Sequence, residues 1–378
     1  PFMVLLLDRA LISGSFAAAW RARWPFYGAL AASWVLLGLL VAGNAARGGS
    51  AGFAAAIDVP TYLLTQCRAL PHYLSLVVWP SGLIFDHGVE TVRTAAEVLP
   101  QTLFLAVLGA TALGLLIRNH IVGTLLAGFF LLLAPSSSFV PVATQTIAEH
   151  RMYLPLAAVL GVGFVLGGMA LRPGATSGRP VWVPVLVIGL LAVALGAATM
   201  ARNRTYRSGL ILWQDTVARC PANARAHHNL GLELMRTGRT DEAAAEFRTA
   251  IALQPNHAFA LAWLGYALLA QEQPAEAERH LRAAVAADAA YGFAWVQLGN
   301  ALAQLGRDDE AEQALVQAVR LAPGDADAHF GLAVVRAQQR RIEDALVEFQ
   351  RVVELDPARI EARANIGNCL LVSGRARE

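Results

Sequence analysis

"NARAHHNLGLELMRTGRTDEAAAEFRTAIALQPN", residues 223–256, is followed without a gap by three stretches of the same 34-residue length, 257–290, 291–324 and 325–358. Small residues recur at one position, Gly231, Gly265, Gly299, Ala333 and Gly367, and at a second, Ala243, Ala277, Ala311 and Ala345. Residues without bulk at such spacing let two helices touch, so each stretch reads as a helical hairpin. Phe247, Leu281, Leu315 and Phe349 are placed to fill the gaps between hairpins. Pro255, Pro323 and Pro357 stop the second helices, where the second stretch has Ala289 instead. A fifth, partial stretch covers 359–378.

Period and pattern together resemble the tetratricopeptide repeat. Gly209, Trp213 and Pro221 fall where a second helix would place them, so 202–222 reads as a linker with a capping half-repeat. Stacked repeats form a concave groove that usually takes extended peptides. His227, Asn229, Asn300, Arg336 and Asn365 lie on first helices and are the expected groove residues, although for any one of them an ordinary solvated side chain is the commoner reading. The chain opens on Pro1 inside an apolar run and stops before the second helix of its last repeat, so it is expected to be a fragment.

The first 201 residues differ in kind. The chain is 56% hydrophobic and 15% charged, but residues 202–378 carry 22 of its 28 acidic and 20 of its 30 basic side chains. The remaining half holds apolar runs near the roughly 20 residues that cross a bilayer. Spans are expected at 26–43, 98–117, 121–141, 152–171 and 181–201. The fold class is thus all-α, a polytopic transmembrane domain (1–201) followed by a repeat solenoid (223–378). Residues 121–134 are too short to span alone before Pro135, and 59–88, broken by Arg68, Pro71, His72 and Pro80, suits an interfacial helix pair better than a span. Arginine density in the connections 8–25, 118–120 and 172–180 assigns them to the cytoplasm, and places 44–97, 135–151 and the repeats outside. Arg202, Arg204 and Arg207 favour the opposite side for the last span, against the four earlier alternations.

Net charge is +2 with no basic stripe, which excludes the electrostatic footprint of a nucleic-acid binder. Cys67, Cys220 and Cys369 are odd in number and lack metal spacing, so no metal site is expected.

Glu149, His150 and Arg151 stand in a row against an apolar run, and ionisable residues at membrane depth are functional by default. The stretches "YLLTQCRALPHYLSLVVWPSGLIFDH" (62–87), "AEHRMYLPLAAVLG" (148–161) and "RNRTYRSGLILWQDTVARCPANARAHHNLG" (202–231) resemble the transmembrane and tetratricopeptide-repeat proteins and their bacterial relatives. That family is similar to the protein O-mannosyltransferases of the GT-C class. The resemblance implies a bacterial inner-membrane protein with a periplasmic solenoid, a polyprenyl-phosphate-linked sugar as donor, protein Ser or Thr as acceptor, and no permanently bound cofactor. It also implies a catalytic acid in an earlier loop that precedes this chain. Such transfer needs a carboxylate to take the proton and a cation to hold the departing phosphate. Arg151, with His150, Arg68 and His72, is expected to hold the carrier phosphate, and Glu149 to orient it or take part in acid–base work. The structural alternative is an interfacial Glu149–Arg151 pair with Tyr153 as an aromatic anchor. A membrane-anchored scaffold without catalysis and an O-antigen ligase or polymerase stay open as other readings.

Overall fold

The computed structural model describes residues 2–43, 58–78, 84–87, 92, 94–118, 120–137, 158–159, 161–162 and 182–375, and every regular element among them is helical. They divide into two compact units, Pro1–Ser208 with Ala218–Cys220, and Gly209–Val217 with Pro221–Glu378.

In the first unit, α1 (Phe2–Asp8) passes through a wide π-helical turn, Arg9–Ser13, into α2 (Phe16–Gly43). α2 starts ten residues before the expected span at 26 and is kinked at Arg23 (φ −139°, ψ 28°), because Pro25 has no N–H and crowds the preceding turn. Asp8 ties this corner together: its buried carboxylate accepts from Ser13 Oγ at 2.7 Å, from Arg23 at 2.6 Å and from the Tyr27 hydroxyl. Three donors offset the cost of burying that charge.

α3 (Val59–Val78) runs unbroken through Pro71, where a broken pair of helices was expected. Its apolar face buries Tyr62, Ala69, Leu70 and Tyr73, and that packing outweighs the one backbone bond that Pro71 removes. A turn at Ala95–Val98, boxed by Thr94 and Glu97, leads into α4 (Leu99–Ile117). Together, Ala95–Ile117 is the one helix among the described residues long and apolar enough to cross a membrane, with mean hydropathy 1.8. Leu99, Leu103, Phe104, Val107, Leu113 and Ile117 on it are all exposed. α5 (Ile121–Ser137) folds back on α4 and continues past Pro135 to Ser137. A Cβ at Gly123 would stand 2.3 Å from the backbone nitrogen of Leu116, so glycine permits the tight return. α6 (Trp182–Thr205) extends the expected last span by one turn and sets Arg202 and Arg204 at its C-terminus, where cations suit the helix dipole. Of the expected span 152–171 only 158–159 and 161–162 are described.

The second unit begins with α7 (Gly209–Arg219), whose Leu210, Trp213 and Val217 pack on the repeat core. Five first helices follow, α8 (Ala224–Arg236), α10 (Ala258–Ala270), α12 (Gly292–Gln304), α14 (Ala326–Gln338) and α16 (Ile360–Val372). Four second helices alternate with them, α9 (Thr240–Leu253), α11 (Pro274–Ala287), α13 (Asp308–Leu321) and α15 (Ile342–Leu355).

The small-residue position explains the hairpin. A Cβ on Gly231, Gly265 or Gly299 would lie 2.4–2.5 Å from Phe247, Leu281 or Leu315 of the same unit. The large residues therefore close their own hairpin first; Leu315 also reaches Gly331 of the next unit, within 2.8 Å of where a Cβ would be. The alanines 243, 277, 311 and 345 are fully buried at the partner position. Between the two helices of each unit one residue has positive φ: Gly238, Glu272, Gly306, Arg340 and Gly374.

Candidate functional site

The second unit presents its first helices side by side, α8 on α10, α10 on α12 and α12 on α14. The expected groove residues separate into two groups on this surface. Asn229, Asn300 and Asn365 are part-exposed and make no side-chain hydrogen bond among the described residues. Asn365 lines, with Asn368, Phe349 and Cys369, a cavity of about 430 Å³. Burial raises the Cys369 thiol above its usual range.

His227 and Arg336 are corrections, because both are committed inside the solenoid. His227 is buried, with Nδ1 at 2.6 Å from Glu246 and Nε2 at 3.0 Å from the Pro221 carbonyl. Arg336 is held by Glu312 at 3.1 Å and Glu348 at 2.8 Å. The His227 contact belongs to a rule that runs down the stack. The same repeat position donates to the carbonyl six residues back through Trp295 Nε1 (Ala289, 2.9 Å), His329 Nε2 (Pro323, 3.2 Å) and the Arg363 guanidinium (Pro357). Three side-chain types perform one task, tying each first helix to the end of the preceding second helix, and only Leu261 in the second repeat lacks a donor. The Glu246 carboxylate, as hydrogen-bond partner, is the main reason the His227 pKa is raised, with the Pro221 carbonyl adding to it against some desolvation.

A cluster that sequence reasoning missed lies between these residues. Phe259, Trp263 and Tyr266 follow helical spacing on α10 and meet Tyr291 and Phe293 at the start of the next unit. Trp263 stacks on Phe293 (4.8 Å, 26°) and crosses Tyr266 (5.5 Å, 81°), and Phe259 is tilted against Tyr291 (4.6 Å, 59°). Phe259 and Tyr266 remain 47% and 39% exposed. At the Phe259 edge sit His257 and His228, 5.2 Å apart. Burial, with His257 adding repulsion, pushes the His228 pKa down to about 3, so it is neutral, and its buried Nδ1 has no hydrogen-bond partner among the described residues. Burial likewise lowers His257, whose Nδ1 caps α10 by accepting from Ala260 N–H at 3.2 Å.

In the first unit, Glu149, His150 and Arg151 lie outside the described residues. The other expected phosphate holders are described. Arg68 is exposed on α3, one turn before His72. The structure brings His72 to His87, with ring centroids 5.6 Å apart and edge to face, and Asp86 and His87 are buried. Tyr73 is buried with Ala69, Leu70, Phe129 and Ala158.

A tetratricopeptide-repeat family model matches residues 228–292 and 296–360. Over 222 residues the chain is 27% identical to the protein O-mannosyl-transferase TMTC1 of Mus musculus, covering 53% of this chain and 22% of that protein. Its match to protein O-mannosyl-transferase F38B6.6 of Caenorhabditis elegans is 26% identical and covers 49% and 26%. The chain thus spans about a quarter or less of the length of these curated relatives. Covering 53% of 378 residues takes about 200, more than 223–378 can supply, so the TMTC1 match includes residues before the repeats. Among solved structures it is similar to TTC0263, a thermophilic TPR protein of Thermus thermophilus (23% identical, 49% of this chain and 97% of that one, TM-score 0.38). It is also similar to YrrB, a TPR protein with an unusual peptide-binding site (24%, 43% and 84%, TM-score 0.37). The second unit of this chain is a tetratricopeptide-repeat solenoid, and over about half its length the chain is homologous to the protein O-mannosyl-transferases.

Proposed function

We propose that this chain is part of a membrane glycosyltransferase that moves a sugar from a polyprenyl-phosphate carrier to Ser or Thr of a polypeptide, and that its solenoid holds the acceptor or a partner. The observation that carries this reading is the TMTC1 match, which extends beyond the repeats. Repeats of this kind generally mediate protein–protein interaction, and Asn229, Asn300 and Asn365 offer open amides that can pair with a peptide backbone. On the membrane side, Arg151 with His150 holds the carrier phosphate through planar donors, Arg68 and His72 bound the same cavity, and Glu149 orients the reacting groups. Ala158, seven residues after Arg151, is buried with Tyr73 of the helix that carries His72, which supports this grouping. The protein sits in a bacterial inner membrane with the solenoid in the periplasm, which brings acceptor and lipid-linked donor to one side.

The test is transfer from a polyprenyl-phosphate sugar to a Ser/Thr peptide by the full-length protein. Arg151→Ala abolishes turnover while the protein still folds and inserts; unchanged turnover removes Arg151 from the site. A protein that captures polypeptides through Asn300 but transfers no sugar at all is the membrane-anchored scaffold instead.

A further inference from the structure

The helix α10 has no polar face. Its thirteen residues, "AFALAWLGYALLA", include no charge, although Phe259 and Tyr266 stand at the surface, where an amphipathic helix would carry polar side chains. Comparison of one repeat position at a time shows that the fold does not require this. The position of Phe259 holds Arg225, Phe293, Asp327 and Glu361 in the other units; that of Trp263 holds Asn229, Gln297, Gly331 and Asn365; that of Tyr266 holds Leu232, Asn300, Val334 and Asn368. At these positions aromatic residues are confined to the second and third repeats, and Arg225, Asn229, Asn300 and Asp327 flank them. A contiguous exposed apolar patch bounded in this way marks an interaction surface.

We infer that this patch selects its occupant within the groove reading above, and that the occupant is an uncharged, extended polypeptide segment presenting aromatic or proline rings. Charge supports this choice. The patch has no formal charge, Arg225 and Asp327 flank it with opposite signs, and burial keeps His228 and His257 at its edge toward the neutral form, so it offers an acidic segment no net attraction. Shape supports it too. One face of Trp263 is already covered by Phe293, and the other ring pairs are inclined to one another at 40–81°, which leaves slots for side-chain rings rather than the flat open face on which a sugar ring lies. Extended segments rich in proline are recognised by such crossed aromatic slots. Asn300, next along the same surface, supplies the backbone contact common to any peptide.

The test uses the full chain in detergent with three fluorescein-labelled probes: a Ser-Pro-Tyr repeat peptide, the same peptide with aspartate in place of tyrosine, and maltohexaose. Expected is preferential binding of the Ser-Pro-Tyr peptide, weakened about tenfold or more by Phe259→Ser or Tyr266→Ser, as truncation of aromatic anchors does. Both residues are exposed, so these variants keep the fold; a shift in melting temperature checks that. Asn300→Ala weakens both peptides alike. Equal binding of the two peptides, unaffected by the aromatic substitutions but lost in Asn300→Ala, overturns the inference and leaves the groove reading standing. Binding of neither peptide overturns both, and binding of maltohexaose alone replaces the polypeptide with a sugar.

Discussion

Glu272 and Arg340 hold the left-handed backbone that Gly238, Gly306 and Gly374 adopt at the same place in other repeats. A side chain there is strained by about 1–2 kcal/mol, so Glu272→Gly and Arg340→Gly should each raise stability, by roughly 1 kcal/mol after the added unfolded-state freedom of glycine is subtracted. Thermal melts of the two variants check this. Adjacent histidines give a second residue-scale expectation with opposite signs. His228 stays neutral when folded down to about pH 3, whereas the unfolded chain protonates it below its ordinary value near 6.5. Folding stability therefore falls as pH drops through that window, and His228→Phe flattens the loss. His227, raised by Glu246, contributes stability that is complete below the ordinary value and lost as pH climbs through its raised one. His227→Leu removes a stabilisation strongest in mild acid. Melting temperature followed against pH separates the two.

At the scale of the element, the hairpin depends on bare glycine surfaces and is only trimmed by charge. Gly265→Val drives a branched side chain into Leu281, whose Cγ already lies 2.4 Å from the nearest Cβ position. Overpacking of this kind costs about 1–3 kcal/mol and should loosen the second repeat first. The arginine that starts each later second helix links neighbouring units, Arg307 to Glu278 at 2.7 Å and Arg341 to Glu312 at 2.8 Å. Both arginines are more than 40% exposed, so Arg307→Ala should lower stability only slightly and the difference should shrink in high salt. Hydrogen exchange resolved by repeat distinguishes these cases, because a stack contacts only its neighbours and opens locally. The helices α8 to α16 were legible because small and large residues alternate at fixed places. α3 was not, since Pro71 weighs against a helix locally while Tyr62, Leu70 and Tyr73 favour it only once their partners are present.

For the whole molecule, deletion of residues 223–378 should reduce transfer to polypeptide acceptors while a short Ser/Thr peptide at high concentration is still modified, if the solenoid supplies acceptor binding. Undiminished transfer to both would leave the solenoid outside the reaction. The proposed membrane-side site was legible only as residue types and resemblance: a row of charges beside an apolar run says that something polar is needed there, not what it faces.

The 34-residue period by itself determined the solenoid, because helix pairing within a unit is a local matter of which positions lack bulk. It also indicated the surface, since first helices carry it. Which side chains are open on that surface was decided only by tertiary structure. His227 and Arg336 look like groove residues in sequence, but carboxylates on neighbouring helices and a carbonyl end hold them inside, and those partners arrive only when the hairpins close. Phe259, Trp263 and Tyr266 look like core in sequence, yet α10 has more apolar faces than its neighbours can cover, and the excess remains exposed as the aromatic patch.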